Sequence, residues 1–325
     1  MYYWTHGVGM GSTDVSGRLG AWSERGLLIL HRINPFKRAF CKLLKILNFP
    51  NEKIYKDINF YGKFKVNLDE ENFYLYHFGD TISKHIFWKG LFKTWENDTG
   101  WIWKELCKVS NTIFDVGANT GVYSLVAKTI NKDAQVFAFE PSIDTFKQLQ
   151  KNNQINNYDI VCEKIALSNK SENQIFYDTP FQNQTSASLS PKKLKNWEGY
   201  KGKIKEYNVS CLKLDDFIIQ NNIGAIDLIK IDVEMHEPEV IEGFKVYLEK
   251  FKPIIIIEVL ETSVAEKLNS LFTLKEYLIF HLCGDEKAKK VEKFVPKLPF
   301  YNFLIFHKDV EKKMREKTCL FENLN

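Results

Sequence analysis

The sequence predicts a doubly wound α/β fold with a mostly parallel sheet, preceded by a small helix and a β-hairpin. Three observations lead there. From Asn111 onward, short β-branched or apolar runs alternate with helical segments, the signature of βαβ units. One run, Thr112–Val116, passes straight into the glycine-containing turn Asp115-Val116-Gly117-Ala118-Asn119-Thr120-Gly121. The next, Gln135–Phe139, ends in Glu140-Pro141, an acidic residue at the strand end where open α/β sheets hold their ligands.

Composition sets the frame. The 325 residues carry 45 basic and 41 acidic side chains, a net charge of +4, and are 44% hydrophobic. That balance suits a globular protein with one large domain and an appended segment, and gives no reason to expect nucleic acid as partner. No apolar stretch is long enough to cross a bilayer. The start, Met1-Tyr2-Tyr3-Trp4-Thr5-His6, lacks a charged region followed by an apolar one, so a cytoplasmic protein is expected. Six cysteines lie far apart with no Cys-x-x-Cys pair, which predicts reduced thiols rather than a zinc site or disulfide framework.

The elements follow in order. Residues 1–26 hold six of the 17 glycines and no lysine, and read as a flexible tail. Residues 27–86 read as an N-terminal helix with a small β segment, and 87–325 as the main domain. Asn34 caps and Pro35 opens an amphipathic helix over 34–47, with Phe36, Phe40, Leu43, Leu44 and Leu47 on one side and Lys37, Arg38, Lys42 and Lys45 on the other. It suits docking on the domain or a partner subunit, or lying on an anionic membrane surface. Alternation in 60–66 and 73–78 around Asp69-Glu70-Glu71-Asn72 predicts the hairpin. A helical stretch from Phe87 to Val109 follows, whose tryptophans (Trp88, Trp95, Trp101 and Trp103) read as packing residues. The remaining expected strands are Ile160–Ile165, Tyr207–Leu212, Ile226–Ile231, Pro253–Val259, Tyr277–Leu282 and Asn302–His307. The last two, joined by a short link, suit an antiparallel edge pair.

The turn after the first of these strands is the strongest chemical signal. Gly117 and Gly121 permit tight backbone geometry and close approach of a ligand. A dinucleotide fingerprint would need Gly-x-Gly-x-x-Gly, but Asn119 takes the second glycine's place and the third is missing. No Gly-Lys-Ser/Thr follows, which excludes a P-loop. Asp115 before the turn suits the ammonium of an amino-acid cofactor better than a pyrophosphate. Glu140 is placed to accept ribose hydroxyls.

Five segments in order carry a family resemblance: Asp115–Gly121, Phe139-Glu140-Pro141, Ala166-Leu167-Ser168, Leu214-Asp215-Asp216-Phe217, and Ile229-Lys230-Ile231-Asp232-Val233-Glu234-Met235-His236-Glu237. Over about residues 90–262 the chain resembles the FkbM family of class I methyltransferases, which depend on S-adenosylmethionine. The resemblance implies a seven-stranded sheet with helices on both faces, and methylation of hydroxyls, often on sugars. It also implies cofactor contacts. Asp115 would lie near the donor's amino group, and the amides of Gly117, Ala118 and Asn119, in the turn closed by Gly121, near its carboxylate. Glu140 would hold the ribose with Pro141 beside it, and Ile165 and Ala166 would lie by the adenine. In one departure, Met235 stands where the motif usually has glycine.

A hydroxyl acceptor must lose a proton, so the acceptor side needs a base, a metal or both. Asp232 ends the fourth strand, His236 follows four residues on, and Glu258 ends the next strand; these are the candidate catalytic residues. Glu234 and Glu237 read instead as charges at a helix N-terminus ahead of Pro238. Carboxylates and imidazole also suit a divalent metal, but the spacing is not diagnostic, and no metal site is assigned. The acidic strand-four segment lacks the Asn/Asp-Pro-Pro-Tyr/Phe pattern of nucleic-acid methylation. The expected partner is thus a saccharide or other small hydroxylated acceptor. An amide or amine acceptor, or a non-catalytic binding subunit on the same fold, are the alternatives.

Overall fold

The computed structural model describes residues 36–47, 58–93, 96–178, 187–190, 204–272, 276–284 and 288–317. The expected tail at 1–26 and the Asn34-Pro35 cap lie outside them, as does Trp95. The first described helix, α1 (Lys37–Ile46), starts after Phe36, which supplies no side-chain cap. It sets Cys41 and Leu44 into the core. A hairpin follows, β1 (Gly62–Leu68) and β2 (Glu71–His77), closing on Asp69-Glu70. Strict alternation sends Phe64, Val66, Leu68, Phe73 and Leu75 inward, so only one of its faces needs cover.

The expected single helical stretch from Phe87 to Val109 is two helices, α2 (Thr81–Lys89) and α3 (Asn97–Cys107). The break has a local cause: Gly90, Phe92 and Glu96 all take positive φ. Asp80 caps α2 by accepting the Ser83 amide at 2.7 Å. The α2 helix crosses the 86/87 boundary drawn from sequence, and hairpin and main domain share one core cluster. Trp101 and Trp103 are packing residues as expected, and the Trp103 indole donates to the Tyr123 carbonyl at 3.0 Å.

The main sheet is built from β3 (Thr112–Val116), β4 (Gln135–Phe139) and β5 (Val161–Glu163). Outside it, β6 (Ala166–Leu167), β7 (Asn173–Asp178) and β8 (Lys205–Leu212) form a separate three-stranded sheet. The main sheet continues with β9 (Leu228–Ile231), β10 (Ile254–Glu258), β11 (Tyr277–Leu282), β12 (Ala288–Val291) and β13 (Asn302–His307). Its order is β12-β11-β13-β10-β9-β3-β4-β5. The five strands from β10 to β5 are parallel, and β13 pairs antiparallel with both β10 and β11. Seven strands thus match the expected sheet, and β12 adds a short antiparallel edge.

Alternate residues of the central strands serve opposite faces. Ile113, Ala138, Ile254 and Ile256 pack on one side, and Phe114, Phe139, Ile255 and Ile257 on the other. Helices such as α4 (Val122–Ile130) and α5 (Ile143–Ile155) cover the sheet. Two strand expectations are corrected. The Ile160–Ile165 run is shortened to β5, Val161–Glu163, and the residues just after the run, β6, pair in parallel with β8. The Tyr207–Leu212 run belongs to that second sheet, where it pairs antiparallel with β7, a strand the sequence reading missed.

Candidate active site

The carboxyl ends of β3, β4, β9 and β10 open into a cavity of about 710 Å³, lined by residues of the glycine turn, Glu140, Asp232, His236 and Glu258. The turn explains itself locally. Gly117 and Gly121 have φ of 81° and 87°, and Asn119 joins them at 51°. A Cβ on Gly117 would lie 1.9 Å from the Asp232 carbonyl, and one on Gly121 would lie 2.4 Å from Leu149. The glycines therefore admit the neighbouring strand end and helix, beyond any ligand.

The turn's amides are spoken for. Those of Gly117 and Ala118 donate to the Phe139 carbonyl at 3.0 and 2.9 Å, and that of Asn119 to Glu140 Oε2 at 2.9 Å. Glu140 Oε1 accepts the Ser142 amide at 2.8 Å, so this carboxylate locks the turn to β4. Burial pushes its pKa up to about 8, against the opposing pull of those two amides. Gly117, Ala118, Asn119, Glu140, Pro141, Ile165 and Ala166 all line the cavity, whereas Asp115 and Gly121 do not. Asp115 sits behind the wall, where it accepts the Ser124 amide at 3.0 Å and hydroxyl at 2.6 Å at the start of α4.

Across the cavity, Asp232 is held by a residue the sequence reading passed over. Lys230 Nζ donates to Asp232 Oδ2 at 2.7 Å and lies 4.4 Å from the centre of the Tyr123 ring. Burial works against its charge, yet Asp232, Glu96 and Asp115 around it hold its pKa above the ordinary lysine value. The signal was present: a lysine between isoleucines in a strand buried on both faces needs an acidic partner. Glu96 was also missed, since nothing in the loop before α3 marks it. It lines the cavity and accepts a hydrogen bond from the Tyr123 hydroxyl.

His236 pairs through Nε2 with the Ser168 hydroxyl at 2.9 Å and lies 3.7 Å from Glu239 through Nδ1. Burial lowers its pKa, with Glu239 pulling the other way, so the ring is neutral at pH 7. Glu258 lies at the end of β10, in register with Asn302. Glu237 opens the short helix Glu237–Glu242, the helix-end position expected of it. Its carboxylate is buried, accepts the amides of Val233 and Met235 at 3.2 and 3.1 Å, and is pushed by burial up to about 7. It braces a turn in which Glu234 and Met235 have φ of 59° and 75°. Among the described residues, no group of three or more His, Cys, Asp or Glu is placed to hold a metal.

The strand order, with its antiparallel β13 and a ligand-sized cavity at the parallel strand ends, defines a class I methyltransferase fold. The methyltransferase FkbM domain model matches residues 115–291, and the chain belongs to that family. It is 26% identical over 152 residues to the hexuronic acid methyltransferase AglP of Haloferax volcanii, covering 47% of this chain and 57% of that one. It is 28% identical over 153 residues to the 31-O-demethyl-FK506 methyltransferase FkbM of Streptomyces tacrolimicus, covering 41% and 59%. The chain thus spans less than two thirds of either relative. A crystal structure of a methyltransferase FkbM from Methylobacillus flagellatus is similar at 17% identity and a TM-score of 0.39, over 61% of this chain and 43% of that one.

Proposed function

We propose that the protein is an S-adenosylmethionine-dependent O-methyltransferase acting on a hydroxyl of a saccharide or another small hydroxylated molecule. One observation carries this reading: a single cavity is walled on one side by the glycine turn and Glu140, and on the other by Asp232, His236 and Glu258. The residues present fit the donor. Glu140 offers a carboxylate for ribose hydroxyls, and Ile165, Ala166 and Phe176 offer an apolar slot for adenine. Thr120 Oγ1, in the cavity wall, is buried with no hydrogen-bond partner among the described residues and suits the polar end of the donor. Asp115 acts at a distance, by pinning the start of α4 beneath the turn.

When bound, the donor supplies a methyl group already activated on a sulfonium, so the protein's main task is alignment, worth about 7–11 kcal/mol in favourable cases. Asp232, fixed by Lys230, orients the acceptor hydroxyl. His236 and Glu258 shape the same wall. The named activity of the Streptomyces relative, on an O-demethyl substrate, favours oxygen as acceptor, and that of the Haloferax relative favours a sugar. A second reading has its own support. The cavity wall carries Glu96, Asp98, Glu140, Asp232, Glu234 and Glu258 against Lys93 and Lys230, an excess of acid that would attract an amine acceptor.

The test pairs calorimetry with S-adenosylhomocysteine and transfer of labelled methyl to a panel of methyl hexosides, hexuronic acids and amino sugars. Micromolar binding with label on a hexoside or hexuronic acid hydroxyl is expected. Label on amino-sugar nitrogen would favour the second reading, and absence of binding would remove both.

A further inference from the structure

We propose that Glu96 is the catalytic base of this site, taking the proton of the acceptor hydroxyl while Asp232 only positions it; this rests on the O-methyltransferase reading. Glu96 comes from the segment before the matched domain. It lines the same cavity as Asp232, and the Tyr123 hydroxyl donates to its Oε2. Its backbone adopts φ 48°, ψ 44°, the left-handed region that side chains other than glycine rarely occupy. Such a conformation persists where the surroundings over-determine it, and it is frequent at reacting sites.

The two carboxylates stand in contrasting environments. Asp232 is ion-paired at 2.7 Å to a lysine that is 3% exposed, which fixes its position in the wall. The Glu96 carboxylate instead accepts a hydrogen bond from a neutral phenol. The charged groups facing it are Lys230 and Asp232 from the end of β9 and Asp98 from α3. Burial outweighs Lys230 and Tyr123 and pushes Glu96 up to about 7, the range where a base is both ionised and able to hold a proton. In the step, the acceptor O–H bond breaks with its proton going to Glu96. The oxygen forms the new C–O bond, and the electron pair of the C–S bond stays with sulfur as the thioether.

Two measurements decide it. In protein labelled with ¹³C at glutamate carboxyls, the Glu96 and Glu237 resonances should both titrate near pH 7, and the one that vanishes in Glu96→Gln is assigned to Glu96. Tyr123→Phe, which removes a donor to the anion, should move that midpoint upward. Titration of the Glu96 resonance in the ordinary carboxylate range would overturn the proposal without any acceptor. With the hexoside that accepts label, Glu96→Gln should cut kcat at least about 10²-fold. The KM and the affinity for S-adenosylhomocysteine should stay within twofold, which also shows that the variant is folded. Glu96→Asp should recover part of the rate. Turnover of Glu96→Gln equal to wild type refutes the base alone, whereas wild type that binds no S-adenosylhomocysteine refutes the functional reading beneath it.

Discussion

Glu140 does two jobs with one carboxylate: it closes the glycine turn through the amides of Asn119 and Ser142, and it lines the cavity. Its loss should therefore weaken S-adenosylhomocysteine binding by about 1–3 kcal/mol, as expected when a buried acceptor goes and partner amides are left bare. Calorimetry on Glu140→Ala checks this, and unchanged affinity would move the ribose site elsewhere. Most cavity residues were legible in the sequence because strand ends and glycine turns have local signatures. Asp115 was legible as important but not in its place, since its partner Ser124 lies nine positions away on α4. Glu96 carries no local signature, and its meaning comes from meeting Tyr123 and Lys230 across the fold; Lys230 announced only the need for an acidic partner.

At the scale of elements, the turn after β9 shows what an unexpected residue costs. Met235 stands at φ 75°, a region open to glycine and disfavoured by about 1–2 kcal/mol for other residues. Its amide is nevertheless bound by Glu237, and its side chain packs against the core cluster on that face of the sheet. Replacement by glycine would relieve the backbone, but adds unfolded-state freedom worth about 0.4–1 kcal/mol and removes the packing. Met235→Gly should thus leave stability within about 1 kcal/mol of wild type, whereas β-branched Met235→Val should lose about 1–2 kcal/mol; urea denaturation separates them. The strands β3, β4 and β10 were found to within one residue at each end, because burial on both faces leaves continuous apolar runs. The strands β7 and β12 were missed for the opposite reason. Asn173-Gln174-Ile175-Phe176-Tyr177-Asp178 and Ala288-Lys289-Lys290-Val291 are polar and half-exposed, and become strands only through their partners.

The whole molecule carries its buried acids as a pH-dependent load. Glu96 and Glu237 are pushed from 4.5 up to about 7, and Glu140 up to about 8, so the folded chain holds protons that the unfolded chain has released. That makes stability fall as pH rises from about 4.5 to 8. His77, lowered by burial to about 4, and His236, lowered in the same direction, act oppositely below about 6.5. From pH 6.5 to 8 only the acids change, and the Tm of the ligand-free protein should drop across that window. Glu237→Gln should flatten the drop, since Glu237 Oε2 has no hydrogen-bond partner to lose among the described residues; a rising Tm would contradict the assignment. Elsewhere, no described helix is long and apolar enough to cross a membrane. The hairpin is tied to the ligand site by one amide side chain. Asn152 on α5 is buried, accepts the Tyr76 amide of β2 at 2.8 Å, and donates to the Thr120 carbonyl of the glycine turn at 2.8 Å. Asn152 is thus a relay: whatever stiffens the turn withholds the Tyr76 amide from solvent, and hydrogen exchange there should slow on addition of S-adenosylhomocysteine while β12, on the far edge, keeps its rate.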